Sequence, residues 1–181
     1  MTEGPGSADD ISRRALEAYQ NGDLAQAETG LRQALALFTQ AQDHGQAAQA
    51  ANNLAVILMQ VDQPEEARLM VEGTPILFEQ SGDRLRAAQA YGNLASACEA
   101  CGDLGRAESC FQQSLKLFQE IQDREGASLV LQRLSQLRLR QGQPLDALAA
   151  MQASLAAAPG RGFRRGILRR LLSLPGRIFP H

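Results

Sequence analysis

The chain of 181 residues contains no tryptophan and only 4% aromatic residues, so the signal for base-stacking or other nucleic-acid recognition is weak. Histidine occurs twice, at His44 and His181, too sparsely for metal-ligand spacing. No glycine-rich phosphate loop follows a strand pattern, and no nucleophile, acid and metal set is gathered by spacing, so catalysis is not expected. No apolar run approaches the roughly 18 residues of a spanning helix. The opening "MTEGPGSADD" carries acid, glycine and proline where a secretory signal has basic and then apolar residues. Three clustered cysteines, Cys98, Cys101 and Cys110, make a poor disulfide framework and suit a reducing compartment. A cytoplasmic protein is expected. Lysine is nearly absent, with one against 17 arginines, the bias of a GC-rich genome, and a bacterial origin is expected.

What is present is alanine, leucine and glutamine, within 44% hydrophobic residues and with few β-branched ones, a helix-forming composition. The length suits one ordinary domain or a short repeat array. The stretch "NGDLAQAETGLRQALALF" at 21–38 matches "CGDLGRAESCFQQSLKLF" at 101–118 in nine of eighteen positions. Sliding the chain by forty residues aligns four units without insertion. Ala27, Ala67, Ala107 and Ala147 then coincide, as do Leu54, Leu94 and Leu134, Phe38, Phe78 and Phe118, and Asp43, Asp83 and Asp123.

Within a unit the apolar residues recur at three and four, as in Leu24, Ala27, Leu31, Ala34, Leu35 and Phe38, which is one buried stripe of a helix. Asp23 and Asp103 are placed to cap helix starts, Pro64 and Pro144 fall where a missing N–H costs nothing, and Asp43, Asp83 and Asp123 cap the other helix of each pair. The repeated alanines let two helix backbones approach closely. Each unit is therefore two antiparallel helices that bury their apolar faces against neighbouring units. The expected fold is all-α, an α-solenoid of about four helix pairs at 9–42, 43–82, 83–122 and 123–158. An N-terminal segment of eight residues is expected to be disordered, and a basic amphipathic helix follows at 159–181.

Tyr91, Leu94, Ala95 and Cys98, followed by Gly102, Ala107, Phe111 and Ser114, resemble the signature of the tetratricopeptide repeat family over roughly residues 9–157. The forty-residue period and "GDRLRAAQAYGNLA" at 82–95 resemble its long-helix branch, found in adaptors that bind extended peptides. Two departures stand out. The first unit has Ile11, Arg14 and Ala15 where later units have leucine before alanine, and Pro75 falls inside a helix, where it costs about 3 kcal/mol or bends the helix.

The resemblance implies a non-enzymatic scaffold whose first helices line a concave face, with the residue before the repeated leucine pointing at the ligand. Those positions are Arg13, Asn53, Asn93 and Arg133, and neighbouring turns add Gln49, Asn52, Val56, Gln89, Ser96, Gln132, Gln136 and Arg140. Asparagine both donates to and accepts from a peptide backbone, and arginine clamps a carboxylate with two prongs. The expected partner is a protein or peptide, acidic in part, with no small-molecule substrate and no cofactor. Ser12 and Leu16 do not supply the lysine and asparagine of the family's chaperone-binding clamp. Cys98 and Cys101 form a C-x-x-C, but Cys98 occupies a packing position and no fourth metal ligand lies near in sequence.

Residues 1–158 carry a net charge of −8 and the remainder +6, because no acidic residue follows Asp146. In the tail, Phe163, Ile167, Leu171 and Leu174 share one helical face, and Arg164, Arg165, Arg169 and Arg170 supply charge. Its roles stay open between a cap on the last helix pair, a contact with anionic lipid or an acidic partner, and self-inhibition of the acidic body.

Overall fold

The computed structural model describes residues 6–158, and among them there are helices and turns but no strand. The helices are α1 (Ala8–Gln20), α2 (Leu24–Gln40), α3 (His44–Gln60), α4 (Pro64–Val71), α5 (Thr74–Gln80), α6 (Arg84–Ala100), α7 (Leu104–Glu120), α8 (Arg124–Arg140) and α9 (Pro144–Ala157). The chain divides into two compact units, Met1–Leu117 and Phe118–His181, and the division falls within α7.

Six of the helix starts follow from the residue ahead of them. The Asp23, Asp43, Asp83, Asp103 and Asp123 carboxylates accept hydrogen bonds at 2.9–3.0 Å from backbone N–H groups three residues on. Ser7 does the same for α1. Pro64 and Pro144 open α4 and α9 from the first turn, where no intrahelical N–H bond is lost.

Helix ends are equally regular. Residues 22, 42, 62, 82, 102, 122 and 142 all have positive φ, between 57° and 83°, so a left-handed residue recurs every twenty positions. Four are glycine, but Gln42, Asp62 and Gln122 adopt the same conformation despite a Cβ. The amide of the residue after each turn residue then bonds a carbonyl in the last turn of the helix, as Asp43 N does to Phe38 O at 2.9 Å.

Pro75 does not bend a continuous helix. The second helix of that pair is broken into α4 and α5, with Gly73 between them and Pro75 in the first turn of α5. A helix that restarts needs no N–H from proline there, so the break removes most of the cost of an interior proline. The Thr74 hydroxyl donates to Val71 O at 3.0 Å across the gap, and Pro75 itself is fully buried.

In the first unit, Ala27, Leu31, Ala34, Leu54, Ala55, Ala67, Val71, Ala87, Ala95 and Ala107 are buried, so alanines sit where helices cross. Gly30 is tighter still, for a Cβ there would lie 2.8 Å from that of Ala15. Serine hydroxyls buried at crossings are paired. The Ser114 hydroxyl donates to Ala88 O at 2.6 Å. In the second unit, forty residues on, the Ser154 hydroxyl donates to Ser128 O and the Ser128 hydroxyl to Ser154 O, both at 2.9 Å. The Ser135 hydroxyl donates to Ala147 O at 2.7 Å, tying α8 to α9.

Candidate functional site

In the first unit the amides expected to face a ligand are gathered on α3 and α6. Gln49 Nε2 donates to Asn53 Oδ1 at 3.1 Å, one turn along α3. Asn93 Nδ2, from α6, donates to Asn52 Oδ1 at 3.0 Å. Asn53 and Asn93 are half-buried and Gln89 is exposed, whereas Asn52 is 5% exposed. Asn52 is thus not displayed on the face. It lies one position further round the helix than Asn53, on the side packed against α6, and serves to orient Asn93. Val56 and Ser96 are half-buried, with the Ser96 hydroxyl turned back to Gly92 O at 2.9 Å.

The Gln49 side-chain carbonyl is buried and has no hydrogen-bond partner among the described residues. A buried acceptor without a donor is costly, about 1–3 kcal/mol, and an incoming N–H would remove that cost. Arg13 behaves differently from the asparagines that share its column. It is exposed and held by Glu17 at 2.7 Å and Asp10 at 3.3 Å, which raise its pKa, Glu17 most strongly through its hydrogen bond.

In the second unit α8 carries a stripe of Leu129, Arg133, Gln136 and Arg140 at helical spacing. Leu129, Arg133 and Arg140 are exposed and Gln136 is half-buried, while Gln132 is buried. Arg164, Arg165, Arg169 and Arg170 lie outside the described residues.

The second helices carry a separate polar network. In the first unit Arg32 meets Glu66 at 2.7 Å and Glu28 at 2.9 Å, linking α2 to α4, and Arg106 pairs with Glu72. The Arg32 guanidinium holds the Glu66 carboxyl below the usual range. Sequence reasoning passed over this network, although the half-buried Glu28 and Arg32 stand in an i,i+4 pattern that signals part of it. The thiols are all free. Burial pushes Cys98 up to about 11 and raises Cys110 as well, which is the behaviour of packed thiols rather than reactive ones. Among the described residues no group of three His, Cys, Asp or Glu side chains is gathered to hold a metal, and no helix is long and apolar enough to cross a membrane.

Antiparallel helix pairs with a forty-residue register and alanine at the crossings define a helix-pair repeat protein of the α-solenoid class. More narrowly, residues 86–159 match the family model described as tetratricopeptide repeat. Solved structures are similar over most of the chain. BtubC (BKLC) from P. vanneervenii is 18% identical with a TM-score of 0.75, over 96% of this chain and 68% of that one. A Podosopora anserina chain of nearly identical kinesin-light-chain TPR-like repeats is 18% identical with a TM-score of 0.76, over 94% and 86%. The apo form of RapI is 15% identical with a TM-score of 0.77, over 84% of this chain and 56% of its own, so the chain spans little more than half of RapI. At these identities the likeness is one of fold. No curated protein sequence matches the chain.

Proposed function

We propose that the chain is a non-enzymatic interaction module, an adaptor or scaffold, that holds an extended segment of another protein against its first helices. The observation that carries this reading is the amide cluster of α3 and α6, where the buried Gln49 carbonyl lacks a donor beside half-buried Asn53 and Asn93. An extended peptide presents an N–H and a C=O at each residue and pairs with such a cluster without demanding a particular side chain. The stripe on α8, with two arginines and a leucine, suits a ligand that carries acidic and apolar groups. Proteins of this family bind protein or peptide partners, which is the class of ligand the cluster fits.

The test is selection of extended peptides from a random displayed library on the full chain, followed by titration of the selected peptide into Asn53→Ala, Asn93→Ala and Arg133→Ala variants. Loss of about tenfold or more per asparagine, with helical circular dichroism unchanged, supports the reading. Equal affinity across the variants places the ligand elsewhere. A loss of helicity marks the amides as structural.

A further inference from the structure

The second helices of the first unit share an outer stripe, and one of them departs from the others in it. On α2 the exposed residues at spacings of four and three are Thr29, Gln33 and Ala36, and on α7 they are Ser109, Gln113 and Lys116. At the same places in the register, on α4 and α5 and between them, stand Leu69, Gly73 and Ile76. Leu69 is 62% exposed and Ile76 54%, and nothing lies within 4 Å of where a Cβ on Gly73 would go, so two apolar side chains flank an open notch. Glu72 and Gly73 keep right-handed helical angles through the break, so the stripe runs on from α4 to α5. Leu77, beside it, is 43% exposed, although its counterparts Leu37 and Leu117 are half-buried and buried.

The borders of this stripe also differ from their counterparts. Glu65, Glu72 and Glu79 follow one another at seven-residue intervals along one side, where α2 has Ala25, Arg32 and Thr39 and α7 has Gly105, Gln112 and Gln119. Met70 and Leu77, also seven apart, form the other side. Leu69, Gly73 and Ile76 thus take the seam positions of a heptad, and the glutamates take the flanking positions that choose a partner by charge in paired helices. Glu72 pairs with Arg106, and Arg68, the one cation between residues 62 and 80, lies 3.7 Å from it. Glu65 and Glu79 are exposed, and Glu79 accepts from the neutral Tyr91 hydroxyl at 3.1 Å. An apolar seam with an acidic border therefore lies open to solvent.

We propose that this face of α4 and α5 docks a basic amphipathic helix of another protein. A large apolar residue of that helix sits over Gly73 between Leu69 and Ile76, where the missing Cβ lets the partner approach closely, and its lysines or arginines, spaced by seven, stand opposite Glu65 and Glu79. Charge selects the occupant. A second copy of this chain, packed antiparallel about a two-fold axis at Glu72, would set Glu65 of each copy against Glu79 of the other, and like charges so opposed are costly. Anionic lipid would meet the same carboxylates. The face belongs to the second helices, whereas the amide cluster lies on α3 and α6, so this is a second interaction surface on the first unit.

The test uses the full chain and two labelled helical peptides of about three heptads with leucine at the seam, one carrying lysine and the other glutamate at the flanking positions, read by fluorescence anisotropy. The lysine peptide is expected to bind, and the glutamate peptide to bind about tenfold more weakly or less. Leu69→Thr with Ile76→Ala gives the face the residues of α2 without changing its charge. It is expected to weaken the lysine peptide about tenfold, with helical circular dichroism intact. Glu65→Lys with Glu79→Lys is expected to reverse the preference between the peptides. Affinity for the lysine peptide that survives Leu69→Thr with Ile76→Ala overturns the proposal, because general attraction to an acidic body behaves that way. Equal binding of the two peptides overturns it too. If the chain sediments as a dimer that Leu69→Thr with Ile76→Ala dissociates, a second copy holds the face and the proposal fails. Asn53→Ala with Asn93→Ala is expected to leave the lysine peptide's affinity unchanged, so the two surfaces are tested separately.

Discussion

The ring of Phe118, near the end of α7, lies against the backbone of Gly126 in the first turn of α8, so close that a single added carbon on Gly126 would sit 2.4 Å from the ring. Glycine is required here by contact and not by conformation, since the left-handed residue of this turn is Gln122. Gly126→Ala is expected to cost about 1–3 kcal/mol by overpacking, and Gly126→Ala with Phe118→Leu to recover part of it. Urea unfolding of the three proteins measures this; a neutral Gly126→Ala would show that the ring swings away freely.

The turn residues make predictions of opposite sign at equivalent turns. Gly102 has φ +83° and open space where a Cβ would go, so Gly102→Ala is expected to lose about 1 kcal/mol through backbone strain alone. Gln42 and Gln122 already bear that strain, and Gln42→Gly is expected to gain a few tenths to 1 kcal/mol. Thermal melting distinguishes these outcomes, and a gain at Gly102 together with a loss at Gln42 would contradict the account.

Removing a proline usually helps a helix, but Pro75→Ala is expected to destabilise the first unit by about 1–2 kcal/mol. Pro75 is fully buried at the start of α5, and alanine leaves its ring volume empty while the break at Gly73 remains. Should the variant instead gain stability and helical signal, α4 and α5 have fused and the break is owed to proline alone.

The buried thiols predict a loss of stability on the alkaline side. Cys98 titrates near 11 because burial disfavours its thiolate, and Cys110 is raised for the same reason. An unfolded thiol loses its proton near 8.5, so between that pH and about 11 the unfolded chain binds fewer protons than the folded one. The stability contributed by the protonated thiols is complete below pH 8.5 and is lost as pH rises through the folded value. Urea midpoints from pH 7 to 10 should fall, and should fall less steeply in Cys98→Val. Equal slopes would show that burial does not set the thiol's proton affinity. Cys101, half-buried at the helix end, is expected to react with a thiol reagent before the other two.

The helix-pair plan was legible because it is local and repeated. Aspartate at a cap, alanine at a crossing and phenylalanine near a helix end each act within a few residues or across one neighbouring helix. The same choice recurring forty residues later leaves little ambiguity. The candidate face was legible only as a column. That Asn53 and Asn93 lie on first helices follows from register, but the burial of Asn52 and its bond to Asn93 depend on how far α3 and α6 are rotated against each other, which periodicity does not specify. The left-handed Gln42 and Gln122 were hidden for a similar reason, since their conformation is imposed by the paired helices and not by a preference of glutamine.

By itself, then, the sequence determined the class of structure, the period, the caps and the crossings, because short-range hydrogen bonding and apolar spacing decide them. Tertiary structure alone decided that Pro75 splits a helix in two, that Gln49 keeps a buried carbonyl without a donor, and that Phe118 leaves Gly126 no room for a Cβ. Each of these depends on where a neighbouring helix comes to rest, to within a fraction of a side chain, and close packing amplifies such small displacements into the presence or absence of a contact.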